Sequence, residues 1–114
     1  MAKNDYYVIA YRILAYLYAC LKEGVRPNPA YIKADSEVIN LSPSYWEYIM
    51  RHLYKDGYID GISLIPVIGA ENPQVRIDSN IVITPKGIEY LQNNSAMCKA
   101  RDFLITLKEI IPGL

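Results

Sequence analysis

Metal ligands and redox pairs are scarce in this sequence. It holds two cysteines, Cys20 and Cys98, and one histidine, His52. The cysteines form no CxxC and are too few for the disulfide framework of a small secreted domain. A lone histidine cannot complete a zinc site with them. Two free, buried or half-buried thiols in a reducing cytoplasm are expected, with no metal and no cofactor. An excess of either charge is missing too. Twelve basic and twelve acidic side chains cancel, which excludes a histone-like arm but leaves room for a local basic patch. Long apolar runs are absent: Val8 to Leu21 is broken by Arg12 and falls short of the roughly 20 residues a membrane span needs. Met1 to Asp5 offers no signal segment, so neither membrane nor export is expected. Enzyme signatures are also missing, among them GxxxxGK[ST], GxGxxG after a strand, HExxH and GxSxG. His52 flanks Arg51, and Asp35 and Glu37, two apart, would not face each other on a helix. No catalytic residue is assigned, and no enzymatic activity is expected.

What is present is clear punctuation. The 114 residues, 52% of them hydrophobic, suit one domain. Asn28-Pro29, Ser42-Pro43 and Thr84-Pro85 each set a capping side chain before a proline, which marks a helix start. Gly24 and Gly57 stand where helical patterns stop. A long amphipathic helix is expected over Asp5 to Glu23, with Ile9 or Ile13, Leu14, Leu17 and Leu21 on its apolar face. A short weak helix follows over Pro29 to Asp35, then a firm one over Ser44 to Asp56 that buries Trp46, Ile49, Met50 and Leu53. Tyr58 to Ile68 and Val75 to Ile83 are expected strands, the second bulged at Asp78-Ser79-Asn80. Helices over Pro85 to Gln92 and Ala96 to about Ile111 close the chain, with Ser95 as a cap. This order predicts an α+β, mainly helical winged helix: a helix-turn-helix, a hairpin wing (58–84) and additional C-terminal helices (85–111).

Two strings sharpen that expectation. Leu53-Tyr54-Lys55-Asp56-Gly57-Tyr58-Ile59 resembles the passage from third helix to first wing strand in winged-helix proteins, and Ile83-Thr84-Pro85-Lys86-Gly87-Ile88-Glu89-Tyr90-Leu91 the strand-to-helix junction after the wing. With Gly57-Tyr58-Ile59-Asp60-Gly61 and the stretch from Lys99-Ala100-Arg101 to Lys108-Glu109-Ile110, the chain resembles the YjcQ family of small bacterial and prophage proteins. The resemblance implies a helical domain with a small sheet and a link to prophage or mobile elements. It assigns no site residues.

Two surfaces are candidates for function. The outward face of the helix-turn-helix's second member carries Ser44, Glu47, Tyr48, Arg51 and Lys55, of which Ser44, Tyr48, Arg51 and Lys55 are the candidate DNA contacts. Arg51 has the donors for a guanine edge, and Ser44 and Tyr48 suit phosphate, in a helix that would enter the major groove of double-stranded DNA. Opposing this, Glu47, Asp56 and Asp60 outnumber Arg51 and Lys55, and the wing loop carries Glu71 and no cation. DNA binding requires Arg51 and Lys55 to converge with some of Lys86, Arg76 or Lys33.

The second candidate is a partner surface. Eleven tyrosines are present, and Tyr7, Tyr11 and Tyr18 share one face of the first helix by spacing. They either line a helix boundary or meet a partner. Leu104, Leu107 and Ile111 extend the idea to the last helix, which either packs on the first or joins it in a homodimer. The expected function is a small binding protein, which the resemblance implies is phage- or mobile-element-associated, with DNA-binding transcription regulation as a dimer as one form it can take. A protein-interaction or phage assembly module without DNA binding is the alternative.

Overall fold

The computed structural model describes residues 6–36 and 39–94. The first helix, α1 (Tyr6–Glu23), buries half its eighteen residues, including Ile9, Ile13, Leu14 and Leu17. That is more than one amphipathic stripe, and it makes α1 the central element of the core. Its end is fixed by Gly24 at φ +70°. The Val25 amide reaches back to the Cys20 carbonyl at 3.0 Å and the Gly24 amide to Leu21 at 3.3 Å, the paired bonds of a left-handed helix cap. Leu21, expected on the apolar face, is 49% exposed because the buried side of this last turn is held by Cys20.

The chain leaving α1 is tied to it where the Asn28 amide donates to the Tyr16 hydroxyl at 2.8 Å. Asn28 caps the next turn as expected, its Oδ1 accepting from the Ala30 amide. That turn is shorter than expected, a single 3-10 turn over Pro29–Tyr31. Trp46 explains part of the difference: its indole Nε1 donates to the Ile32 carbonyl at 2.7 Å, which turns that group away from a continuing helix. Ser36 then spans the bend, donating to the Tyr31 carbonyl and accepting from the Ile39 amide.

Helix α2 (Pro43–Lys55) buries Trp46, Ile49, Met50 and Leu53, the four residues its sequence spacing selects. Its start departs from expectation in one respect. Ser42 has extended backbone but its side chain makes no cap bond; Pro43, with φ fixed and no amide to satisfy, opens the helix by itself. At the other end Gly57, at φ +84°, repeats the cap seen after α1, with Tyr58 bonding to Leu53 and Gly57 to Tyr54.

Strands β1 (Ile59–Ile65) and β2 (Gln74–Ile83) form an antiparallel hairpin. β1 stops three residues earlier than expected, at Pro66, which has no amide to extend the ladder. Asp60 pairs with Val82, but Ile62 pairs with Ile77. β2 therefore advances five residues while β1 advances two, and the excess falls at the expected Asp78-Ser79-Asn80 irregularity. Gly61, at φ +91°, makes room for it: a Cβ there would lie 2.4 Å from the Ile81 Cα. Across the irregularity Ser63 Oγ donates to Asp78 at 2.8 Å, and Arg76 Nε pairs with the same carboxylate at 3.3 Å.

Helix α3 (Pro85–Asn93) begins at Thr84, whose Oγ1 accepts from the Gly87 amide at 3.1 Å. The same hydroxyl donates to the Gly57 carbonyl, and the Thr84 amide donates to Tyr58 O at 3.0 Å. The hairpin's two ends are thus locked together against the end of α2. Three helices and one two-stranded sheet give a mainly α, α+β architecture among the described residues, consistent with a winged-helix-like arrangement. The expected helix over Ala96 to Ile111, with Ser95 and Cys98, lies outside the described residues.

Two substitutions test this account. Gly24 and Gly61 share a positive φ, but only Gly61 faces backbone. Gly24→Ala should cost about 1–2 kcal/mol from the left-handed conformation alone, and Gly61→Ala clearly more, about 3 kcal/mol or above, in urea unfolding. Thr84→Val, which removes the helix cap and the bond to Gly57 together, should cost about 2–3 kcal/mol in the same assay.

Candidate functional site

Six of the tyrosines gather where α1, α2, α3 and the base of the hairpin meet. Helix α1 contributes Tyr6, Tyr7 and Ala10, and α2 contributes Tyr45, Tyr48, His52 and Leu53 on one side of the helix. The turn after α2 adds Asp56 and Tyr58, and α3 adds Tyr90. Together they line a groove of about 680 Å³, the size range of small-ligand and side-chain pockets. The rings touch in series. Tyr6 meets Tyr7 and Tyr48 edge to face at centroid distances of 5.2 and 6.2 Å, Tyr48 lies 4.4 Å from His52, and Tyr58 lies 5.4 Å from Tyr90. Such edge-to-face and tilted pairs are favourable aromatic geometries, and they stiffen the lining.

Burial governs the phenols. The Tyr6 hydroxyl is pushed up to about 12, first by burial and then by the nearby Asp56 carboxylate and neighbouring tyrosines. Tyr90 is also raised by burial, with smaller contributions from Tyr58 and Tyr7. Away from the groove, burial pushes Tyr16 up to about 12 despite the amide bond from Asn28, which favours its phenolate. At neutral pH these groups are neutral hydroxyls.

The residues expected to contact DNA have separate fates. Ser44 and Lys55 are exposed on α2, and Arg51 is half-buried between them. Tyr48, 46% exposed, is engaged with Tyr6, Tyr45 and His52 at the groove. Two of the three flanking cations have other partners. Arg76 pairs with Asp78. Lys86 Nζ donates to the Asp56 carbonyl at 2.8 Å and sits 5.3 Å from the Tyr58 ring centroid. Lys33 lines a different, smaller groove together with Asp35 and Glu47. Glu47, placed by spacing on the outward face, instead accepts the Val75 amide at 3.1 Å and braces α2 against β2.

The expected partner face on α1 is corrected in its centre. Tyr7 is well exposed, but Tyr11 is 5% exposed and belongs to the core. Spacing of four and seven residues groups these side chains, yet α1 is buried around so much of its circumference that the middle of the row turns inward. Tyr18 is half-buried, with Lys22 Nζ 4.5 Å from its ring centroid. Leu104, Leu107 and Ile111 lie outside the described residues. Sequence reasoning missed Tyr6, Tyr45, Asp56, Tyr58 and Tyr90 as one cluster, and gave His52 no role. The available signal was the row Tyr45, Tyr48, His52, which spacing of three and four places along one side of α2.

No three histidine, cysteine or acidic side chains gather as a metal site among the described residues, and no described helix is long and apolar enough to cross a membrane.

An alkaline titration tests the buried phenols. Tyr6 and Tyr16 have native values raised from 10 to about 12, so their contribution to stability is complete below pH 10 and is lost as pH rises towards 12. Followed by phenolate absorbance, the tyrosines should ionise in at least two groups, the late one coinciding with loss of helical circular dichroism.

No curated protein and no solved structure matches the chain. A family model described as YjcQ protein matches residues 11–110. That span takes in every described element from the second turn of α1 onward and the whole groove lining except Tyr6, Tyr7 and Ala10. By this match over most of its length, the chain belongs to the YjcQ protein family.

Proposed function

We propose that this chain is a small, non-catalytic, phage- or mobile-element-associated binding module that uses a winged-helix-like scaffold to hold a protein partner, as in phage assembly, and does not act by reading DNA. The observation that carries this reading is the groove, which gathers six of the eleven tyrosines. Tyrosine combines large apolar area with a polar tip at small conformational cost, and it is enriched where proteins meet proteins. At the hairpin tip, Val67 and a fully exposed Ile68 add an apolar surface beside Glu71, the opposite of what phosphate attracts.

A second reading, transcriptional regulation through DNA, is favoured by one observation: Ser44, Arg51 and Lys55 do stand on the accessible side of α2 in helix-turn-helix order. The two readings separate in one assay. Fluorescence anisotropy with random-sequence duplex DNA at about 50 mM salt should show no measurable association, and the Arg51→Ala, Lys55→Ala double substitution should change nothing. Association that the double substitution abolishes would replace the protein-binding reading with the DNA-binding one.

A further inference from the structure

The groove's chemistry narrows what the partner must present. Asp56 is the one carboxylate in its lining, and neither lysine nor arginine lines it. The other polar groups are phenols and the His52 ring. Burial keeps Tyr6 and Tyr90 protonated well above neutral pH, so these phenols supply neutral rings. Ring faces carry the negative part of the aromatic quadrupole, and cations are drawn to them. The chain already uses this attraction once at the edge of the groove. Lys86 Nζ sits over the Tyr58 ring while donating to the Asp56 carbonyl. Asp56 itself is exposed, and its structural bonds run through its backbone, the amide to His52 and the carbonyl from Lys86, which leaves the carboxylate at the groove as a counter-charge.

We propose that the groove recognises a cationic side chain, arginine or lysine, presented by a basic segment of the protein partner, with the tyrosine ring faces as its walls and the Asp56 carboxylate as its counter-ion. The inference rests on the reading that the groove holds a protein, and it adds the partner's chemistry. Arginine fits better than lysine, because a planar guanidinium stacks on rings while its edge donates to a carboxylate. Lys86 competes, since it repels an incoming cation and occupies the Tyr58 face.

The test uses the full chain and two peptides with three arginines, or three citrullines, in a glycine-serine background. Citrulline keeps the shape of arginine and removes its charge. Binding followed by amide NMR shifts should favour the arginine peptide by about tenfold or more, with shifts at Tyr48, His52 and Asp56. Asp56→Asn should remove most of that preference with an unchanged thermal unfolding midpoint, and Lys86→Met should tighten arginine binding severalfold. Tyr48→Ala should weaken both peptides. Equal binding of both peptides, still weakened by Tyr48→Ala, would overturn the cation inference and leave the protein-binding groove standing. Binding of neither peptide, or binding indifferent to Tyr48→Ala, would overturn the groove reading as well.

Discussion

The hairpin and the two helices that flank it are tied together at the Thr84 hydroxyl. It receives the Gly87 amide, which starts α3, and gives its own proton to the Gly57 carbonyl, which ends α2. Beside it the Thr84 amide closes on Tyr58. Gly87 has to be glycine for this to happen, since a Cβ would stand 2.5 Å from the Tyr58 carbonyl oxygen. One side chain therefore fixes the exit of one helix, the closure of the hairpin and the start of the next helix. Placing Tyr58 and Tyr90 within ring contact is a direct result, because each lies a few residues from this junction.

Much of this was legible because it is written in residues with narrow conformational meaning. Proline after a capping residue, glycine after a helical stripe and the alternation of β-branched side chains each point to one local structure. The inward face of α2 was legible for the same reason, as Trp46, Ile49, Met50 and Leu53 repeat at helical spacing. Failures occurred where a distant partner decides. The short helix after Pro29 ends early because Trp46, fourteen residues on, takes the Ile32 carbonyl. Glu47 was counted against DNA as an outward charge, but its carboxylate is taken by the β2 backbone. Tyr11 could not be separated from Tyr7 and Tyr18 by spacing, because what buries it is the packing around α1.

The site was less legible than the fold, and for a physical reason. A groove at the meeting point of three helices and a turn has no period, so its residues come from four separate places in the chain. The abundance of tyrosine was visible, but not where those rings would converge. Electrostatics followed the same course. Net charge was evident from composition, whereas the bond from Lys86 to the Asp56 carbonyl, thirty residues away, depends on the closure of the hairpin.

The register irregularity opposite Gly61 divides the hairpin into two short ladders. The inner ladder, Ile59–Asp60 with Val82–Ile83, belongs to the junction that carries α3, while the outer one begins at Ile62 and Ile77. Inserted or deleted residues beyond Ile65 would be absorbed in the outer ladder and the loop, leaving the inner pairing in step. The tip of this flap can thus change in length and character without disturbing the tyrosine cluster at its root.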